Sequence, residues 1–510
     1  MTTDETADDL TQYWTLEKQG TGYYIKNAYT GRYLLKQGGV VSTQYRTNTK
    51  PNGAFTLSVN NNFPYELRYN IVDNKTIVLH TAATQNYNAV GWYISNGTDN
   101  LASVWYFQEV NPSEADIEAA QKEFQALQDA QTNERKYRQM MATFFDDDAC
   151  TILKSEYRSM DDAALRQAMS ELPSTIQEAA VKIKNNSWSK WEKEFRVASY
   201  GIYSDPSYWA KQLKMSAYGR QNNPTGIVAD KNQVLYVFVG SNVPTGATLK
   251  IETSSTTSVF GDYSKTLTKG LNVVVAPADN SHLFVMYTSK NGTDISRYAN
   301  LDIHIEGGRV NGFFDCTKYN NKDWAQMKAD GLFKAPVIDV MGEYIHWHMS
   351  TSYVKNNVRD KITEVMAVWD STAYWELDLM GLLKSDKYPD IYEDIYPRKF
   401  NNKMECTTVT SEGSYMYSTS YYTGYNEYST GNILQYDNVI KGDGTLWGPA
   451  HEIGHSNQGA IRIVGTTEVS NNLFSNMVMY RTGKYTTRYW NIQEMQQWMP
   501  QKLSWLELYG

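Results

Sequence analysis

Cysteine is scarce in this chain. Cys150, Cys316 and Cys406 stand far apart in 510 residues. An odd count leaves at least one thiol unpaired, which excludes a disulfide scaffold, and the spacing excludes a cysteine metal cluster. Long apolar runs are also missing: nothing approaches the roughly 18 consecutive apolar residues of a membrane-spanning helix. Excess positive charge is absent too. Lys and Arg number 48 against 56 Asp and Glu, a net charge of −8, the wrong sign for a protein that binds a phosphate backbone. Nucleic acid is thereby excluded as the main partner. The opening residues, Met1 to Asp9, are polar and acidic. They contain neither the apolar core of an export signal nor a lipid-acceptor cysteine, so any such signal lies outside this sequence.

What the chain has in plenty is tyrosine, 39 residues, with 14 tryptophans beside it. Most such rings fill cores and interfaces, and the same flat faces stack on sugars. At this length one hydrophobic core does not suffice, and about two to four domains are expected. The fold class expected is multidomain α+β.

Local patterns divide the chain into four parts. Residues 10–111 read as a small all-β module, with short runs such as Gly22-Tyr-Tyr-Ile-Lys-Asn27 and Thr76-Ile-Val-Leu-His80 between turn residues. Trp14-Thr-Leu16, Phe55-Thr-Leu57 and Trp105-Tyr-Phe107 form a weak internal repeat. Three such units suit a β-trefoil, and a small barrel or sandwich fits as well. Residues 112–190 read as a helical spacer, beginning at a cap formed by Ser113 and Asp116. Residues 191–310 return to strands, among them Gln233–Val239 and His282–Tyr287, and suit a β-sandwich-like subdomain. Residues 311–510 mix strand and helix, with a buried strand at Pro336–Val340 and a long helix from Ile362 that ends near Gly381. This last part is expected to be a zincin-type α+β catalytic domain with a zinc-binding helix.

That expectation rests on His451-Glu452-Ile-Gly-His455. Histidines four apart on a helix project from nearly one face, so both imidazoles reach one Zn²⁺ at about 2.0–2.1 Å. Glu452 lies between them, placed to take a proton from a metal-activated water and pass it to the leaving amine. The helix start is expected at Pro449, with Trp447 and Gly448 outside it. A catalytic zinc wants a third protein ligand. The metzincin solution needs Gly at 458 and His at 461, and those places hold Gln458 and Ile461. The next acidic residue is Glu468, in Gly465-Thr-Thr-Glu-Val-Ser-Asn-Asn472. Two histidines with a downstream glutamate form the gluzincin arrangement, with one Zn²⁺ per chain. Asn472, four residues after Glu468, and Gln458, one turn after His455, are candidates to hydrogen-bond and orient the imidazoles. His346 and His348 alternate along a strand, share one face and read as partly buried structural residues or substrate-cleft contacts, while His80, His282 and His304 read as structural.

Trp447-Gly-Pro-Ala-His-Glu-Ile-Gly-His-Ser-Asn-Gln458, followed by Thr467-Glu-Val-Ser-Asn-Asn472, resembles the enhancin-like, mucin-directed zinc metallopeptidases, the O-glycopeptidase type of peptidase family M60. Asn223-Pro-Thr-Gly-Ile227 and Ser414-Tyr-Met-Tyr417 extend the likeness upstream, to roughly residues 190–510. The resemblance implies His451, His455 and Glu468 as zinc ligands and Glu452 as base. It also implies hydrolysis of peptide bonds in O-glycosylated, mucin-like proteins, a glycan-binding role for the N-terminal β module, and an extracellular or bacterial cell-surface setting. Relatives usually continue beyond the point reached at Leu508-Tyr-Gly510, which suggests a C-terminally trimmed chain. Trp347, Tyr415, Tyr417, Tyr421, Tyr422, Tyr425, Tyr428, Tyr436 and Trp447 are the aromatic candidates for sugar contact in the catalytic part. Two rival readings stay open: a glycan-binding surface protein with a vestigial zinc site, and a general zinc peptidase indifferent to glycans.

Overall fold

The computed structural model describes residues 13–38, 41–60, 68–82, 88–93, 101–107, 112–290, 292–383, 401–409, 415–440 and 445–482. The acidic start, Ser414 and the chain after Thr482 lie outside the described residues. Two compact units divide the chain, Met1–Thr132 and Asn133–Gly510.

The first unit holds two antiparallel sheets. One joins Trp14–Gln19, Gly22–Asn27, Tyr33–Leu34 and Thr47–Asn48; the other joins Thr56–Val59, Arg68–Asn74, Ile77–Ala82 and Asn88–Tyr93, with Trp105–Tyr106 paired to Arg68–Asn74. Ile25, Leu34, Tyr45, Phe55, Ile71 and Leu79 form their buried core. Tyr23 and Phe55 exchange two backbone hydrogen bonds of 2.8 Å and so tie one sheet to the other. The boundary between units falls inside the long helix Glu114–Phe144. This helix starts where the sequence predicts: Ser113 Oγ accepts the Asp116 amide at 3.1 Å and donates to its carboxylate at 2.6 Å.

In the second unit, short helices from Ser155 to Arg196 lead into two facing antiparallel sheets. Val197–Tyr200, Leu301–Glu306, Val234–Val239 and Gly270–Val275 make one. Tyr263–Thr266, Ala247–Ser254, Ser281–Ser289, Pro224–Ala229 and Arg309–Val310 make the other. Leu235, Val237 and Val239 of the first share a core with Leu249, Ile251, Leu283 and Val285 of the second.

The site is positioned by a six-stranded mixed sheet. Its order is Phe314–Asp315, Val337–Met341, Ile345–Ser350, Met404–Val409, Tyr422–Asn426 and, at the edge, Met416–Ser418. Strand alternation along Ile345–Ser350 sends its side chains to opposite faces. Trp347 meets Trp369 of the helix Ile362–Leu379 edge-on, with ring centroids 5.6 Å apart. That helix stops two residues before Gly381, whose φ of +72° suits glycine. His346 and His348 face the other way, toward His282 on the strand Ser281–Ser289. Among the described residues no helix is long and apolar enough to cross a membrane.

Candidate metal centre

The helix carrying both histidines spans Trp447–Asn457. It begins two residues before the expected start at Pro449, because Leu446 already has helical dihedrals. Proline is tolerated there: its missing N–H falls among the first-turn donors that have no intrahelical partner. Ala450, Ile453, Gly454 and Asn457 face the protein interior. The far end is held from below by Asn457, which donates to Glu376 Oε2 at 2.8 Å and accepts from the Tyr218 hydroxyl at 2.9 Å. Burial keeps the Glu376 carboxyl well above its usual range.

His451 and His455 stand one above the other, ring centroids 4.8 Å apart. The chain then turns back through Thr467–Ser470, a four-residue helix that offers Glu468 to both rings. Glu468 Oε2 is 3.1 Å from His451 Nε2 and 3.3 Å from His455 Nε2. Ligands at about 2.0–2.1 Å around a tetrahedral ion stand roughly 3.4 Å apart; Glu468 Oε2 is at that spacing from both Nε2 atoms, and all three donors lie within 4.8 Å of one another. Among the described residues they are the group of three or more His, Cys, Asp or Glu with that spacing.

Asn472 and Gln458 reach the opposite nitrogens of the rings. His451 Nδ1 is 2.9 Å from Asn472 Oδ1, an acceptor, so the proton sits on Nδ1 and Nε2 keeps its lone pair. Gln458 Nε2 lies 2.6 Å from His455 Nδ1, while its Oε1 accepts the Ser470 hydroxyl at 2.5 Å. Turning that amide over presents oxygen to Nδ1–H at no loss, because the hydroxyl both donates and accepts. Burial lowers the His455 pKa, against the pull of Glu468. Trp447 stacks on His451 with centroids 4.8 Å apart.

Glu452 is buried beside the three donors, its Oε2 4.0 Å from His455 Nε2. Burial, and then the Glu468 carboxylate, raise its pKa to about 7. A carboxyl so placed exchanges protons near neutrality, as a general base and acid must. A cation on the neighbouring donors would draw the value down again.

Trp347 and Tyr425 cannot meet a sugar, since both are fully buried around Trp369. Tyr415 and Tyr428 are exposed, at 53% and 80%. Asn471 is a residue of the site that the sequence pattern does not single out. Completely buried, it places its amide nitrogen 2.9 Å and 3.0 Å from the two Nε2 atoms. Its position three after Glu468 was the available signal, since such a pair shares a helix face.

Residues 311–507 match the family profile described as Peptidase M60, enhancin and enhancin-like. Among solved structures, a metallopeptidase from Bacteroides thetaiotaomicron is 30% identical, with a TM-score of 0.58 over 68% of this chain and 56% of that one. A metallopeptidase in complex with Tn antigen is 32% identical, with a TM-score of 0.50 over 58% of this chain and 53% of that one. The chain thus spans a little over half the length of each. No curated protein matches it. By the profile match and these two likenesses, residues 311–507 are similar to the enhancin and enhancin-like peptidases of family M60.

Proposed function

We propose that the protein is a zinc-dependent endopeptidase that hydrolyses peptide bonds in O-glycosylated, mucin-like proteins. In this reading His451, His455 and Glu468 hold one zinc per chain. Asn472 and Gln458 orient the two imidazoles. The observation that carries it is the approach of Glu468 Oε2 to both Nε2 atoms, at 3.1 Å and 3.3 Å. When bound, the zinc polarises the scissile carbonyl and makes the attacking water acidic. Glu452 takes the proton from that water and delivers it to the departing amine nitrogen as the C–N bond breaks. No covalent intermediate with the chain is required.

Selectivity must come from the cleft walls, because this donor set is common to many peptidases. Exposed rings at Tyr415 and Tyr428 suit a sugar face. The likeness to a metallopeptidase bound to Tn antigen supports a glycan requirement here. The parts of the chain are read as an N-terminal module, residues 10–111, that binds glycans on a trefoil-like scaffold, a helical spacer, residues 112–190, a sandwich, residues 191–310, and the catalytic domain, residues 311–510. Its setting is extracellular or at a bacterial cell surface, where glycoprotein substrates are met.

The test is a matched pair of peptides, one carrying a single core sugar on Ser or Thr and one bare. Cleavage confined to the glycosylated peptide is expected. Equal rates on the two would leave a zinc peptidase without glycan dependence.

A further inference from the structure

The two histidines share a helix, so their separation is settled locally. Glu468 has no such guarantee. It sits on a four-residue helix, and its side chain is 73% exposed, so its own packing does not hold it in place. The next residues do. Ser470, Asn471 and Asn472 each reach back to the histidine helix or its continuation. Ser470 Oγ donates to Gln458, Asn472 Oδ1 accepts from His451, and the Asn472 amide donates to the Glu468 carbonyl at 3.0 Å.

Asn471 is the central member and has no exposed surface. Its side-chain nitrogen lies 3.3 Å from the His451 carbonyl as well as beside both Nε2 atoms. Its side-chain oxygen is buried with no hydrogen-bond partner among the described residues. Such a group costs stability that an apolar residue of similar shape would not, so stability alone does not account for asparagine here. Its backbone lies on Gly454. A Cβ added at Gly454 would stand 3.0 Å from the Asn471 carbonyl oxygen and 3.0 Å from Phe474 Cβ. Contacts that short displace the neighbour by a few tenths of an ångström, and the neighbour here is the turn that carries Glu468.

We propose that Asn471 and Gly454 are positioning residues for the third metal donor: together they set the gap between the histidine helix and the turn. That gap decides whether Glu468 Oε2 can share a cation with both imidazoles. The inference rests on the metal-site reading given under Proposed function. Neither residue touches the substrate or supplies a ligand atom. Asn471 holds the turn by a side-chain bond to the helix, and Gly454 lets it come close enough for that bond to form.

The experiment measures zinc affinity by chelator competition in the full chain, for the wild type, Asn471→Ala and Gly454→Ala. The thermal midpoint of each metal-free protein is recorded alongside. Supporting ligating groups in this way is typically worth about 10–100-fold in affinity. Both variants are expected to lose affinity in that range while their metal-free midpoints stay at the wild-type value. Affinity equal to that of a zinc-binding wild type would overturn the inference and leave the metal site standing. A metal-free midpoint that falls in both variants as far as the loaded one would also overturn it, by making the two residues ordinary core. A wild type that takes up no zinc would undo the underlying reading instead, and the inference with it.

Discussion

Asp339 and His348 face each other across neighbouring strands, with Oδ1 and Nδ1 2.8 Å apart in full burial. The other His348 nitrogen, Nε2, is 2.8 Å from the Thr256 carbonyl. Carboxylate and carbonyl both accept, so both ring nitrogens must carry protons and His348 is an imidazolium. It joins the loop at Thr256 to the six-stranded sheet. Asp339 also receives His346 Nε2 at 3.0 Å and stands 3.3 Å from His282 Nδ1, while Glu405 lies 3.8 Å from His346 Nδ1.

Burial opposes the His348 charge, but Asp339 outweighs it and raises the pKa above 6.5. Asp339 is held well below 3.8 by the imidazoles despite its burial. A raised histidine contributes stability that is fully present below its unfolded value of 6.5 and lost as pH climbs through the folded one. The His348→Gln variant is therefore expected to be destabilised most below pH 6.5, with the deficit shrinking at alkaline pH. Asp339→Asn strands a buried cation and should cost about 3–5 kcal/mol. Thermal unfolding across pH checks both. A His348→Gln deficit independent of pH would mean the ring is neutral.

Removing the base should separate chemistry from coordination. Glu452→Gln is expected to keep fold and zinc content but lose about 10²–10⁴-fold in turnover. Single-turnover cleavage of a glycopeptide reads this, and near-normal turnover would require another base.

The Asn472 side chain fixes the His451 tautomer through Nδ1. Asn472→Ala should weaken zinc binding by about 10–100-fold, measured by chelator competition. Unchanged affinity would reduce that contact to a surface hydrogen bond.

The candidate site was legible in the sequence because its main spacing is a helical turn: bringing His451 and His455 together needs nothing beyond local geometry. Glu468 could be reached by elimination, since it is the first acidic side chain after a motif that lacks the metzincin continuation. Asn471 could not be ranked above its neighbour Asn472, because what distinguishes them is which one the turn buries. The pairing of His346 and His348 on one strand face was readable from alternation. Their partners Asp339 and His282 were not, since they come from another strand of the sheet and from the sandwich. Trp347 and Tyr425 look like any other rings in sequence, and only the packing of Trp369 between them marks them as core. The early start at Trp447 was hidden because no side chain caps the helix.

The account stands or falls on one ion per chain at His451, His455 and Glu468. Elemental analysis of the purified full chain, beside a His451→Ala/His455→Ala double variant, measures this most directly. One zinc per wild-type chain and none in the double variant is the predicted result; no zinc in the wild type, or equal zinc in both, would contradict it.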